Sequence, residues 1–246
     1  EGDHTIVFLS AWGDTSPYNN FLPLCKELSS DAKVVILERF GYGLSDIVDE
    51  ERTFDKILEE DREGLEKAGI EGPYVLVPHS LGGLEAILWG QKYSSEVEGI
   101  VGLDISVPSA REEYAKGVPK TTVTVVRFLR ATGLWRFMLD KPEDETDRMK
   151  NAISCRQEIN KNVLSEHEHI IEALDEVESM PYPTVPTVQY VAKQNCDLSA
   201  EWEPGHQVLV DASENGKLIK LDCGHYVYKE EPDTIINGIR EFLKTL

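Results

Sequence analysis

Short β-branched runs alternate with longer helix-period segments through the first hundred residues. Thr5–Ser10 (TIVFLS), Lys33–Leu37 (KVVIL), Tyr74–Val77 (YVLV) and Gly99–Leu103 (GIVGL) are continuous apolar runs of strand length, the pattern of strands covered on both faces. Between the second and third, Phe54, Ile57, Leu58, Asp61, Leu65 and Ala68 recur at steps of three and four, and Gly69 ends the run. That spacing predicts an amphipathic helix with a glycine stop. Leu81–Tyr93 reads as a further helix that begins directly after a strand. Thr187–Val191 and Lys217–Leu221 are two later strands, and a C-terminal helix from near Pro232 places Ile235, Ile239, Phe242 and Leu246 on one stripe. Strand–helix alternation of this kind predicts an α/β fold, a mostly parallel sheet with helices on both faces.

The middle third breaks the alternation. From Pro108 to about Met180 charged helical patterns dominate, and the one stretch of strand-like composition is Thr121–Val126. Asp140-Lys141-Pro142-Glu143-Asp144 marks a break between helices, and Pro181-Tyr182-Pro183 with Pro186 punctuates the return to the sheet. The organisation predicted is a core of residues 1–107 and 183–246 with a helical insertion at 108–182. Phe128, Leu129, Leu134, Trp135, Phe137 and Met138 are too apolar for a solvated loop. Most of them are expected in the insertion's own core, with a minority lining an apolar pocket.

Composition narrows the function classes. Of 246 residues 41% are hydrophobic and 28% charged, which is globular composition, and no run approaches the ~18 apolar residues of a membrane span. Forty-five acids against 25 basic residues give a net charge of −20. That field repels nucleic acid, and no basic patch with interleaved aromatics offsets it. Cys25, Cys155, Cys196 and Cys223 show no C-x-x-C or metal spacing, and a chain of this length needs no disulfide staples, so reduced thiols are expected. The abrupt start at Glu1-Gly2-Asp3, already in a strand by Thr5, reads as a trimmed N-terminus and leaves the compartment open.

One junction carries chemistry. Pro78-His79-Ser80-Leu81-Gly82-Gly83 follows the strand YVLV and opens a helix. It is a G-x-S-x-G elbow in which Pro78 replaces the first glycine; such a turn lifts the serine hydroxyl clear of the sheet. The Leu81 amide, at the helix start, then points at any oxyanion formed on Ser80. His225, in Asp222-Cys223-Gly224-His225-Tyr226, follows the last strand and opens on the same sheet edge, where a general base must stand. The other histidines are weaker candidates: His79 is locked beside the serine, and His4 and His206 lie in polar stretches. His167 and His169 are two apart on a helix, and read as a solvated face rather than a metal site.

With these residues in place the chain resembles the α/β-hydrolase superfamily, in the capped branch of proline iminopeptidases, haloalkane dehalogenases, epoxide hydrolases and many carboxylesterases. Four motifs match in order: Phe8-Leu9-Ser10-Ala11-Trp12-Gly13 in place of the oxyanion loop, Glu38-Arg39-Phe40-Gly41-Tyr42-Gly43-Leu44-Ser45 as the D-x-x-G-x-G-x-S turn, the serine elbow, and the Gly-His loop before a Glu-Glu-Pro helix. The family's first two strands have no counterpart here. Ser10-Ala11 replaces His-Gly, and Ala11 restricts φ where glycine would not. The resemblance implies that the insertion is a cap over Ser80, and that the Trp12 amide is the second oxyanion donor beside Leu81; the Trp12 ring is also a candidate pocket wall. It leaves the triad acid between two positions. In most of the family the acid follows the penultimate strand, where this chain has Asn195, with Asp197 two residues on. Some relatives place it where Asp104 ends GIVGL, although others keep a purely structural aspartate there. Rigid placement favours Asp104. Glu85 and Asp46 are read as structural or solvated.

The reading that follows is a hydrolase needing no cofactor or metal that cleaves small or medium carboxylic esters through an acyl-serine. An aminopeptidase or thioesterase, or a catalytically silent ligand-binding protein on the same fold, are its alternatives. A serine at the elbow sets aside the dehalogenase and epoxide-hydrolase chemistries, which use an aspartate there.

Overall fold

A computed structural model of the chain describes residues 3–246. Glu1 and Gly2, where the trimmed start was placed, lie outside the described residues. In chain order the elements are β1 (Thr5–Leu9), α1 (Pro17–Leu28), β2 (Lys33–Ile36), α2 (Phe54–Lys67), β3 (Tyr74–Pro78), α3 (Gly82–Lys92) and β4 (Val97–Leu103). Helices alone follow: α4 (Arg111–Tyr114), α5 (Lys120–Ala131), a 3-10 turn at Leu134–Phe137, α6 (Glu145–Gln157), α7 (Lys161–Glu168) and α8 (Ile170–Ser179). The chain then re-enters the sheet with β5 (Thr187–Ala192), α9 (Lys193–Leu198), α10 (Trp202–Ala212), β6 (Gly216–Leu221), α11 (Val227–Glu230) and α12 (Pro232–Leu243).

The six strands form one parallel sheet in the order β2-β1-β3-β4-β5-β6. Side chains alternate across it, as the strand period of two requires. Ile6, Phe8, Val75, Val77 and Val101 pack with Phe21 of α1 and Ile235, Ile239 and Phe242 of α12. Val7, Leu9 and Leu76 face the other way, onto Phe54 and Leu58 of α2, Leu84 and Leu88 of α3, and Leu174 of α8. The Thr53 hydroxyl caps α2 by accepting the Lys56 amide hydrogen, and Gly69, at φ +67°, closes it as expected. Leu246, expected on the buried stripe, lies beyond the end of α12 and is exposed.

Three expectations change. Thr121–Val126 lies inside α5 and is not a strand. Its β-branched residues have no neighbouring strand to pair with, and tertiary context overrides their propensity. The stretch around His206, read as polar, is the helix α10, with His206 fully buried. Pro204 and Gly205 disguise it, yet both stand in the first turn, where a missing amide costs no helical bond. Finally, the apolar residues of α5 and the 3-10 turn do not form a core: Phe128, Leu134, Phe137 and Met138 are exposed, and Trp135 is half-buried with its Nε1–H on Ser154 Oγ. This hairpin packs mainly against α6, too thin a layer to cover both of its faces.

The helical segment is stitched to the loop after β2. Asn160 Nδ2 donates to the Gly41 carbonyl at 2.7 Å, and Gln157 Nε2 to those of Gly43 and Ser45 at 3.0 Å. Asn162 exchanges two hydrogen bonds with the Val48 backbone, both 2.9 Å. Gly41 sits at φ +88°, and a Cβ there would stand 2.6 Å from the Asn162 Cβ. Among the described residues no helix is long and apolar enough to cross a membrane, and the four cysteines are free thiols.

Candidate active site

Parallel strands deliver their C-terminal ends to one edge, and the candidate residues gather there. Past β3, the His79 amide donates to the Leu9 carbonyl at 2.9 Å and Ser80 turns to φ +51°, a left-handed conformation that L residues enter only under constraint. The constraint is visible: the Ser80 carbonyl accepts from Ser106 N at 2.7 Å and Gly83 N at 2.9 Å. Close approach explains the glycines. A Cβ on Gly82 would lie 2.8 Å from the Leu9 carbonyl oxygen, and one on Gly83 would lie 2.4 Å from the Ile105 Cβ. Ser80 is half-exposed, and its hydroxyl makes no hydrogen bond among the described residues.

Asp104, one residue past β4, is the second non-glycine residue held at positive φ, +48°, and it is fully buried. Its amide donates to the Tyr190 carbonyl at 2.7 Å. Four N–H groups converge on its carboxylate. Oδ1 accepts from the Ala192 amide and the Trp202 indole, each at 2.8 Å; Oδ2 accepts from Asn195 Nδ2 and His225 Nδ1, each at 2.6 Å. Asn195 Nδ2 also lies 3.1 Å from His225 Nδ1. Because Nδ1 carries the proton given to Asp104, that approach is two donors sharing one carboxylate rather than a bond between them. Asn195, just past the end of the neighbouring strand, thus supports the Asp104 carboxylate. Asp197 is elsewhere: it sits exposed on α9, paired with Lys193 four residues before it.

His79 lies beneath His225, with ring centroids 4.7 Å apart, and its Nε2 is 3.1 Å from the His225 carbonyl oxygen. Burial, and next the His225 ring, push the His79 imidazole well below its usual range, so it is neutral and donates from Nε2. His4 pairs with Glu98, and His169 bonds Glu172. His167 instead stands edge-on to the Trp12 ring at 5.0 Å, and burial lowers its pKa. The Trp12 indole donates to the Val163 carbonyl at 2.8 Å, tying the β1 loop to α7. The amides of Trp12 and Leu81 take part in no turn or loop hydrogen bond among the described residues, whereas the adjacent Gly13 amide donates to the Tyr42 hydroxyl.

A buried ionic cluster lies behind this loop. Arg39 donates to the Ser10 and Ala11 carbonyls at 3.1 and 3.3 Å and pairs with Glu85 at 3.2 Å and Glu166 at 3.3 Å. Tyr42 donates to Glu166 at 2.8 Å. Burial alone would pull the Arg39 pKa down; Glu166, Tyr42 and Glu85 overturn this and raise it. Burial, then Glu85, push the Asp61 carboxyl well above the usual range. Asp61 Oδ2 and Glu85 Oε1 are both buried without a hydrogen-bond partner among the described residues. Glu85 is therefore structural but not solvated, while Asp46 is exposed and pairs with Arg156. Sequence reasoning missed Glu166 and Trp202. Neither lies in a motif, and both act across large sequence separations.

The class defined by this parallel sheet and serine elbow agrees with comparison to known proteins. The sequence profile of the alpha/beta hydrolase fold family matches residues 4–164. The chain belongs to that family. YbdG of Bacillus subtilis (strain 168), itself uncharacterised, is 28% identical over 262 aligned positions, spanning 99% of this chain and 80% of that one. Two solved structures share the fold at low identity. The enol-lactonase of Burkholderia xenovorans LB400 has a TM-score of 0.72 at 18% identity, over 98% of this chain and 91% of that one. A putative epoxide hydrolase of Pseudomonas aeruginosa has 0.75 at 13%, over 100% and 90%.

Proposed function

We propose that the chain is a serine hydrolase of carboxylic esters, working without a cofactor through an acyl-enzyme. The observation that carries this reading is the 2.6 Å bond from His225 Nδ1 to the buried Asp104 carboxylate, on the sheet edge that also holds Ser80 at the strained elbow. Asp104 fixes the tautomer with the proton on Nδ1, leaving Nε2 to take the proton from Ser80 as Oγ attacks the acyl carbonyl. The amides of Trp12 and Leu81 receive the tetrahedral oxyanion. His225 then returns the proton to the departing alkoxide, and water, activated the same way, releases the acid and regenerates Ser80. Residues 108–182 act as the cap of this site; support comes from the Trp12–Val163 bond and the Trp12–His167 ring contact, which set α7 over the oxyanion loop.

A fluorophosphonate probe tests the chemistry. The wild type becomes covalently labelled at Ser80 and loses esterase activity in step, while Ser80→Ala takes no label. An unlabelled wild type of intact fold would sink the proposal in favour of a silent ligand-binding protein. Labelling with turnover of thioesters or aminoacyl amides, but not esters, would keep the mechanism and replace the substrate class.

A further inference from the structure

The most apolar stretch of the chain is also free of acids. From Tyr114 to Leu139 there are five basic residues (Lys116, Lys120, Arg127, Arg130 and Arg136) and no Asp or Glu, in a chain whose net charge is −20. This contiguous stretch is a local basic and aromatic patch, contrary to the expectation drawn from the overall charge. On α5, Val125 and Phe128 share the outer face with Thr121, Thr124 and Thr132, while Val126 is buried on the opposite side. The 3-10 turn continues the exposed surface: Phe128 is 60% exposed, Phe137 70% and Met138 67%. Arg130 is turned inward, onto the carbonyls of Cys155, Arg156 and Glu158. The other four cations have no carboxylate partner among the described residues, whereas Lys56, Lys92, Arg111, Lys161 and Arg240 each face one. The acid-rich turn beyond Asp140 bounds the patch.

The arrangement discriminates between occupants. In a protein–protein interface the apolar centre is depleted of charge; here the Arg136 guanidinium lies 4.7 Å over the Phe137 ring itself. That same contact covers the ring face a nucleic-acid base would stack on. Apolar tips flanked by cations on the adjacent side of the helix suit a bilayer interface, where rings enter the headgroup layer and Lys and Arg reach phosphates. The chain's many acids do not forbid this, because beyond a Debye length of ~8 Å they are screened while the contacting cations are not.

We propose that α5 and the Leu134–Phe137 turn dock on an anionic lipid surface, with Phe128, Phe137 and Met138 entering the headgroup region and Lys120, Arg127 and Arg136 meeting lipid phosphates. A groove of about 620 Å³ opens beside this face, bounded by Lys120, Val123 and Arg127 on one side and Leu164, His167 and Glu168 on the other. His167 touches Trp12, so the groove leads from the docking face towards the oxyanion loop. Docking is independent of the catalytic reading, because it is measured without turnover.

Vesicle co-sedimentation tests it. The wild type partitions onto phosphatidylglycerol–phosphatidylcholine vesicles at least about tenfold more strongly than onto phosphatidylcholine alone, and high salt releases it. Arg127→Gln with Arg136→Gln removes the preference for anionic lipid. Phe128→Asp with Phe137→Asp removes binding to both; these side chains are exposed, so circular dichroism stays that of the wild type. Brominated lipid quenches tryptophan fluorescence, and Trp135→Phe abolishes most of that quenching. Wild-type protein left in the supernatant with anionic vesicles overturns the proposal. So does undiminished binding of the double phenylalanine variant. An oligonucleotide, or a second copy of the chain seen by sedimentation velocity, that takes this face without vesicle binding overturns it as well.

Discussion

Replacing Asp104 by asparagine changes one atom pair and reverses the logic of the site. The carboxylate accepts four N–H groups at 2.6–2.8 Å, but a carboxamide offers one oxygen and one NH2. Turned with its oxygen towards the Ala192 amide and Trp202, it presents NH2 to His225 and Asn195, donor against donor. His225 escapes the clash only by moving its proton from Nδ1 to Nε2, the nitrogen that must receive the Ser80 proton. The expected loss is about 10⁴-fold in kcat, or ~5 kcal/mol at ~1.4 kcal/mol per tenfold. Stability falls too, since hydrogen bonds to a charged group contribute ~1.5–3 kcal/mol each and two are lost. Pre-steady-state acylation with a chromogenic ester reads the chemical step, and a thermal melt checks that the variant is folded at the assay temperature. Asp197→Ala, on exposed α9, keeps kcat within about twofold. A folded Asp104→Asn enzyme within tenfold of wild type, or a collapse of activity in Asp197→Ala, would show that the geometry has been read wrongly.

Two further expectations concern the elbow and its foundation. Gly82→Ala places a Cβ against the Leu9 and Ser10 carbonyl oxygens at 2.8 and 2.9 Å, backbone that cannot swing aside; urea unfolding should show a loss of ~1–3 kcal/mol with reduced Ser80 labelling, and wild-type values for both would refute the close-approach argument. His79 is neutral in the fold because burial, then His225, depress its pKa, so below about pH 6.5 the unfolded chain binds a proton that the folded chain refuses, and stability falls as pH falls. His79→Phe should therefore flatten the pH 6 to 5 slope of the unfolding free energy by up to ~1.4 kcal/mol per pH unit, and parallel slopes for the two proteins would rule out a neutral His79.

Much of the sheet was legible because parallel strands covered on both faces leave unbroken apolar runs, and all six appear within two residues of the expected bounds. What escaped was set by partners distant in sequence. Thr121–Val126 had the residues of a strand but no neighbour to make it one. Ser80 and His225 could be named from local motifs and strand ends. The support of Asp104 could not, since Trp202 and Asn195 reach it across 98 and 91 residues. Arg39 could be read as part of a turn, but nothing near it in sequence announces that one of its two counter-ions, Glu166, comes from α7.

That counter-ion limits how the protein can be recombined. An insertion between two strands invites exchange among relatives, as though the sheet were a chassis and the helices an accessory. Arg39 holds the backbone of Ser10 and Ala11 on one side and needs Glu166 on the other. A graft lacking an acid at that place leaves Glu85 as the one paired counter-ion of a guanidinium in a dry interior, and weakens the hold on the Ser10 and Ala11 carbonyls. Excising residues 108–182 would thus loosen the loop after β1 rather than simply uncover it. Shuffled chimeras of this chain should be more stable when the donor helix brings a carboxylate to Arg39, so the favoured crossover points lie outside the pair rather than at the apparent domain boundary.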